Sequence, residues 1–220
     1  VAALASRAAH LRHSCHGYHR HCAGGVGTTL GRGWAAAGHF VSWVVRNPDD
    51  ERYRALRETG ARLLPPGPRP AVAALVLATP WAGAQPAIAA CGDLRERVLI
   101  DCTNPLGPNF ELVVGHTRSG AEEVAGWARG ARVVKAFNTV GFNIMANPVR
   151  GGRHAFLPVV GDDAAAKQVA LQLARDLRFD AQDLGSLANA RLTEAFALMW
   201  IKVALQQGFG REFAFGMIRD

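Results

Sequence analysis

The chain has no apolar run near the roughly 18 residues needed to cross a bilayer. Its longest apolar stretches, such as residues 71–78 and 98–100, are the size of buried strands. Lysine is scarce: of 25 basic residues 22 are Arg, and only Lys135, Lys167 and Lys202 are Lys. Acidic residues are missing before Asp49, so Arg7, Arg12, Arg20, Arg32 and Arg46 supply most of the net charge of +7. Further on the signs alternate, as on solvated helix faces. With no basic stripe interleaved with aromatics, the chain lacks a nucleic-acid footprint, and a modest positive field suits a polyanionic cofactor equally well. The four cysteines show no CxxC spacing. Cys91 and Cys102 lie in apolar contexts, where a free thiol behaves as a small hydrophobe, so a reduced, cytoplasmic protein is expected. No nucleophile–base pair and no metal-ligand cluster emerges after residue 22, and His116 and His154 stand alone. Hydride transfer between two bound cofactors needs little of that kind, since the protein mainly supplies proximity, orientation and electrostatics.

At 220 residues, 49% hydrophobic and 20% charged, the chain has room for one large domain or one domain with a small appendage. Residues 1–21 differ from the rest. Five of eight histidines fall there (His10, His13, His16, His19, His21), with Cys15 and Cys22 interleaved. Imidazole and thiolate would suit zinc or copper. However, a spacing of three drifts around a helix, and a structural zinc site usually needs two separated ligand pairs. An atypical leader, disordered or mis-translated, is therefore the expectation. The stretch 16–21 is also a poor buried strand, because sinking imidazoles and a guanidinium without partners costs several kcal/mol. A reading-frame error upstream of about residue 22 would account for this, and translation of the other genomic frames checks it.

From Gly24 onward, helix and strand alternate. A glycine turn feeds a helix with Leu30, Trp34 and Ala37 on its apolar face and Gly38 closing it. Residues 40–45 form a strand, and a helix after Asp49-Asp50 runs to about Thr59. Strands follow at 73–78, 98–102, 132–137 and 156–160. Helices are expected at 85–91, at 119–127 behind the capping box Ser119-Gly120-Ala121-Glu122, and at 164–177. A long helix over 187–207 carries Leu192, Phe196, Met199, Trp200 and Val203 on one side. The prolines between 65 and 70 make that segment a loop. This alternation predicts an α/β fold: a Rossmann-like, doubly wound, mainly parallel sheet with a small C-terminal α/β portion ending in a long helix.

Three features carry chemistry. The cluster Gly24-Gly25-Val26-Gly27 places glycines where a dinucleotide fingerprint needs a tight turn and close backbone approach to a pyrophosphate. Gly24 and Gly27 fit its second and third glycines, and Cys22 stands in place of the first. At the end of the second strand Arg46 stands where an acid would select NAD, which favours NADP. Finally, Thr79-Pro80-Trp81, Asn104-Pro105 and Asn138-Thr139-Val140 lie at predicted carboxyl ends of strands. Their amides and hydroxyls can orient a carboxamide or ring carbonyl there. Singly each is strand-ending punctuation; together at one sheet edge they favour a ligand crevice.

These stretches resemble the NADPH-dependent reductases of the deazaflavin coenzyme F420, also called F420-dependent NADP oxidoreductases. The resembling segments include Gly24-Gly25-Val26-Gly27, Arg46-Asn47-Pro48, Thr79-Pro80-Trp81, Asp101-Cys102-Thr103-Asn104-Pro105, Ser119-Gly120-Ala121-Glu122, Val134-Lys135-Ala136-Phe137-Asn138-Thr139, Gly161-Asp162-Asp163 and Ala190-Arg191-Leu192. A ferric reductase domain and pyrroline-carboxylate reductases share parts of the pattern. The resemblance implies a Rossmann domain over 22–148, a smaller portion over 149–220 and a homodimer. Hydride would pass between the nicotinamide C4 of NADP(H) and C5 of coenzyme F420, with no catalytic side chain. It implies pyrophosphate at the glycine turn and the 2′-phosphate at Arg46. Thr79, Pro80 and Asn104 would line the cleft, with Asn138, Thr139 and Val140 near the nicotinamide. The alternatives are an NADPH-dependent reductase of a flavin, ferric chelate or small imine, or a degenerate NADP-binding protein.

Overall fold

The structure, a computed structural model, describes residues 2–5, 25–67 and 72–218. The strands in chain order are β1 (Ala2–Ala5), β2 (Phe40–Val44), β3 (Arg62–Leu64), β4 (Ala74–Leu77), β5 (Val98–Asp101) and β6 (Arg132–Lys135). After them come β7 (Val149–Arg150), β8 (Arg153–His154), β9 (Phe156–Gly161) and β10 (Asp180–Asp183). The helices are α1 (Gly25–Ala36), α2 (Arg54–Arg57), α3 (Ala84–Ala89), α4 (Gly120–Trp127), α5 (Phe142–Ala146), α6 (Ala164–Asp176) and α7 (Ala190–Gln206). Eight strands form one sheet in the order β10-β9-β6-β5-β4-β1-β2-β3, and β7 pairs only with β8. The pairs β2–β3, β4–β5, β5–β6 and β9–β10 are parallel, and β9 runs against β6.

Period-two alternation sorts the strand side chains into two cores. Ala74, Val76, Ile100, Val134, Leu157 and Val159 face Leu30 and Trp34 of α1, Ile144 of α5 and the apolar stripe of α6. Leu75, Leu77, Leu99, Val133 and Val160 face α3, α4 and Ala190 at the start of α7. Helices thus cover both faces of a mostly parallel sheet, the doubly wound α/β arrangement expected from the alternation. The capping box at Ser119 forms as read, with the Ser119 side chain accepting from the Glu122 amide and the Glu122 carboxylate accepting from the Ser119 amide.

Between β2 and β4 lies β1, antiparallel to both: Ala5 pairs with Phe40 at the start of β2, and Leu4 with Ala74 at the start of β4. Its carboxyl end therefore sits at the sheet edge opposite the one where β4, β5 and β6 end. A strand that enters a glycine turn runs parallel to its neighbours, so β1 does not feed α1 in that way. The histidine-rich stretch, Cys15, Cys22 and Gly24 lie outside the described residues.

Other expectations need correction. Ala37 is exposed in the turn after α1, although Gly38 does adopt positive φ there. The helix expected after Asp49 is a 3-10 turn followed by the single turn of α2. Strands β3 and β10 form the two edges of the sheet, and their charged residues break the apolar pattern that marks a buried strand. On α7 the buried side is Ala190, Thr193, Glu194, Ala197, Trp200 and Ala204. Leu192 and Met199 are 69% and 46% exposed. The helix is turned because Glu194 is drawn inward by buried partners described below.

One glycine fixes how α1 lies on the sheet. A Cβ on Gly31 would stand 2.5 Å from Trp43 Cζ2, and Trp43 is buried with its indole donating to the Gly27 carbonyl at 3.1 Å. The role of close helix–strand packing falls here on Gly31. Gly31→Ala should destabilise the fold by about 1–3 kcal/mol through overpacking. A urea unfolding midpoint unchanged from the parent would contradict this.

Candidate functional site

The carboxyl ends of β4, β5 and β6 bring most of the expected residues to one edge. Asn104 and Asn138 clasp each other: Asn104 Nδ2 donates to the Asn138 carbonyl at 2.9 Å, and Asn138 Nδ2 donates to Asn104 Oδ1 at 3.1 Å. Asn138 Nδ2 also donates to the Thr193 carbonyl of α7 at 3.2 Å. Pro105 and Trp81 meet over Gly120 at the start of α4, each 3.1 Å from where a Cβ would stand. Trp81 packs on Trp127 of α4 with ring centroids 5.1 Å apart. Val140 is buried in the core that includes Leu30 and Ile144, with Val26 packed against it. A Cβ on Gly25 would meet the Phe142 ring of α5 at 3.0 Å. Arg46 is exposed directly beyond β2, close enough to Tyr53 for its charge to act on that phenol.

The amides of Asn104 and Asn138 are arranged so that all their N–H donation is directed into the protein. Asn138 Oδ1 is left buried without a hydrogen-bond partner, as are Thr79 Oγ1 and Thr139 Oγ1. Buried polar atoms are nearly always paired, and leaving one unmet costs about 1–3 kcal/mol. Here one amide acceptor and two hydroxyls remain beyond the ends of β4 and β6, the two strands that flank β5. Such a set suits a planar group carrying both N–H and C=O, as a carboxamide does.

Beneath this edge lies a buried charge cluster. Lys135, Asp101 and Glu194 are each at most 1% exposed. Lys135 Nζ reaches Asp101 Oδ2 at 2.8 Å, Glu194 Oε1 at 2.8 Å and the Thr103 carbonyl at 2.6 Å. Asp101 Oδ1 accepts from the Thr103 amide and hydroxyl at 2.9 and 2.7 Å. The Glu194 carboxylate accepts from the Gly120 and Ala121 amides at 2.8 and 3.0 Å. Two carboxylates against one ammonium leave an excess negative charge, which the positive end of α4 offsets. Burial works against the Lys135 charge, yet the adjoining Asp101 and Glu194 outweigh it and hold its pKa above the ordinary 10.5. Burial, with Asp101 beside it, pushes the Cys102 thiol well up, so it is an inert core residue.

Between this cluster and the clasped amides the backbone is strained. Phe137 has φ of +64°, a region that costs a non-glycine residue on the order of 1–3 kcal/mol. Of the five described non-glycine residues with positive φ (Glu96, Phe110, His116, Phe137, Arg178), only Phe137 is buried. Its ring sits edge-on to Trp34 at 5.5 Å and to Phe179 at 6.1 Å, while the Trp34 indole donates to the Leu173 carbonyl at 2.9 Å.

Helix α1 begins at Gly25 with no acidic side chain in its first turn. The first amides of a helix lack intrahelical partners and attract anions, so this end is compatible with a diphosphate. Two cavities among the described residues lie elsewhere. One is bounded by Arg32, His39, Trp43, Thr59 and Arg62, the other by Arg150, Arg153, His154, Phe179 and Phe215; neither is lined by Thr79, Asn104, Asn138 or Thr139. Among the described residues no helix is long and apolar enough to cross a membrane, and no group of three or more His, Cys, Asp or Glu could hold a metal ion.

On the rim, Glu122 accepts from Arg191 Nε at 2.9 Å, tying α4 to α7. The Arg191 guanidinium, helped by Ser119, lowers the Glu122 carboxyl from 4.5 to about 2. A lowered carboxyl stabilises above its unfolded value and loses that contribution as pH falls toward the folded one. The chain should therefore lose stability from about pH 4.5 downward, and Arg191→Ala should flatten that loss in urea melts taken across the range.

Sequence reasoning found the strand-end residues and missed Glu194 and the strain at Phe137. Lys135 offered a signal, being a charge inside the otherwise apolar run 133–137.

Residues 22–105 match the family model described as NADP oxidoreductase, coenzyme F420-dependent. The chain is similar to a candidate F420-dependent NADP reductase from Arthrobacter sp. FB24. The two share 28% identity and a TM-score of 0.79, with 94% of this chain and 99% of that one covered. Metalloreductase STEAP3 of Rattus norvegicus is 34% identical over 134 residues, which is 58% of this chain. The chain spans only about a quarter (26%) of that curated relative's length. A reductive aminase from Aspergillus terreus, solved with NADPH and ethyl levulinate, shares the fold at 21% identity and TM-score 0.58, over 90% of this chain and 63% of that one. The match over residues 22–105 and the likeness in fold to the Arthrobacter protein both point to the F420-dependent NADP oxidoreductases.

Proposed function

We propose that the chain transfers a hydride between NADP(H) and the deazaflavin coenzyme F420. The observation that carries this reading is the trio of buried, unpaired polar atoms, Thr79 Oγ1, Asn138 Oδ1 and Thr139 Oγ1. They line the edge where β4 and β6 end. NADP(H) supplies the reducing chemistry; the chain's own task is to bind, orient and exclude water. Gly25, Val26 and Gly27 at the start of α1, with Gly24 before it, would hold the diphosphate through backbone amides. Arg46 would meet the 2′-phosphate, a role suited to a guanidinium. Thr79, Pro80, Trp81, Asn104 and Pro105 would wall the crevice. Asn138, Thr139 and Val140 would seat the nicotinamide, with Asn138 Oδ1 accepting from its carboxamide. No side chain need donate or remove a proton at the reacting carbon.

The likeness to STEAP3 supports a second reading in which the acceptor is a metal chelate. A pair of copies fits the exposed Leu192, Met199 and Phe209 side chains, which would be covered by such an assembly. Mixing the protein with NADPH and the deazaflavin, and following loss of the deazaflavin's visible absorbance, tests the first reading. Turnover of a ferric chelate with no deazaflavin reduction would replace it by the second. Arg46→Ser should weaken NADPH binding by about tenfold or more, the worth of a charge-assisted contact, and leave NADH binding unchanged.

A further inference from the structure

We propose that Phe137 is a positioning residue for the nicotinamide half of the cofactor, holding Asn138 and Thr139 in a conformation the backbone would otherwise leave. The inference rests on the reading of the crevice given above. β6 ends at Lys135, whose Nζ is fixed by Asp101, Glu194 and the Thr103 carbonyl. Two residues later the chain takes a left-handed turn at Phe137, with φ of +64°. That turn delivers Asn138 to Asn104 and to the Thr193 carbonyl, and leaves Asn138 Oδ1 and Thr139 Oγ1 buried and unpaired.

A side chain with a Cβ does not adopt this backbone region without support from its surroundings. The support is the ring, which is 1% exposed and wedged edge-on between Trp34 and Phe179. Trp34 belongs to α1, the helix whose start faces the diphosphate, and is itself anchored to α6 through the Leu173 carbonyl. The ring of Phe137 therefore joins the element proposed for the diphosphate to the residues proposed for the nicotinamide. If the wedge loosens, the left-handed turn relaxes and the orienting acceptor moves, while the amides of α1 stay in place.

The test compares NADPH with 2′-phospho-ADP-ribose, which lacks the nicotinamide, by fluorescence or calorimetric titration of the full chain. Phe137→Leu keeps apolar bulk and loses the edge contacts, and Phe137→Met serves if the Leu variant does not fold. Phe179→Leu removes the other ring of the same cluster without touching the strained backbone. Phe137→Leu should bind NADPH about tenfold more weakly, the size of one lost orienting hydrogen bond. Its affinity for 2′-phospho-ADP-ribose should match the parent, and Phe179→Leu, which removes one side of the wedge, should weaken NADPH binding to a smaller extent and leave 2′-phospho-ADP-ribose binding unchanged. If Phe137→Leu and Phe137→Met lose neither ligand, or lose both equally, Phe137 is only a core residue and the proposal fails. If the parent protein binds neither ligand, the reading of the crevice fails and takes the proposal with it. A parent that binds both, with unaltered variants, sinks this inference alone.

Discussion

Lys135→Met should be the most damaging single substitution in the core, at about 3–5 kcal/mol, the range for breaking a buried ion pair by removing one partner. The side chain is nearly isosteric, so the loss is electrostatic. Asp101 and Glu194 would remain buried with no ammonium between them, and the Thr103 carbonyl would lose its donor. For a chain of this size each kcal/mol moves the melting temperature by roughly 2–4 °C, so a fall of roughly 6–20 °C is expected. Lys135→Met combined with Glu194→Gln should cost less than the sum of the two, since one of the stranded charges is gone. The pH dependence offers a second readout. The Lys135 pKa is held above its ordinary 10.5, so its contribution is complete below that value and is lost only as pH rises through the folded one. The variant should lack that share of the alkaline loss. Thermal melts at neutral pH and above pH 10.5 measure both effects; a variant within about 1 kcal/mol of the parent would refute the account.

Asn138→Ala should slow reduction of the acceptor by about a hundredfold, the effect of misplacing a reacting group by around an ångström. The variant removes the buried acceptor Oδ1 and both donations by Nδ2, to Asn104 Oδ1 and the Thr193 carbonyl. Asn104 would keep its donation to the carbonyl of residue 138 but lose the donor to its own Oδ1, and so be held by one bond in place of two. Asn138→Asp should not rescue the rate, because a carboxylate would face Asn104 Oδ1 and the Thr193 carbonyl, both acceptors. Thr79→Val, which deletes one hydroxyl and keeps the shape, should cost less, about tenfold. Single-turnover oxidation of bound NADPH separates this from weaker binding: the rate at saturation should fall for Asn138→Ala. A variant that oxidises NADPH at the parent rate would remove Asn138 from the site.

The parts of the fold legible in the sequence are those whose cause is local. β4, β5 and β6 announce themselves as short apolar runs ended by Thr79, Asn104 and Asn138. α4 is announced by a capping box that needs only four consecutive residues. α6 was legible for the same reason, with Asp163 capping it by accepting from the Ala166 amide. What stayed hidden depends on distance along the chain. The clasp of Asn104 and Asn138 could be suspected from their positions, but not its orientation, which decides which atoms stay unpaired. Glu194 reads as an ordinary polar helix residue until α4, 74 residues earlier in the chain, presents its amides to it. That contact rotates α7, so the apolar stripe through Leu192 and Met199 that periodicity sends inward faces out instead. Strain at Phe137 is equally invisible, since nothing in a Phe codon-by-codon reading marks a positive φ.

Because one carboxylate serves both Lys135 and the opening amides of α4, the last helix is wired into the middle of the sheet. Amides in the first turn of a helix ordinarily exchange with solvent quickly, as the ends fray. Those of Gly120 and Ala121 should exchange as slowly as the central strands, opening only when the whole molecule does. Clipping the chain ahead of Ala190 would leave Lys135 with Asp101 as its one carboxylate and strip the Gly120 and Ala121 amides of their acceptor, so α7 and the sheet form one cooperative unit.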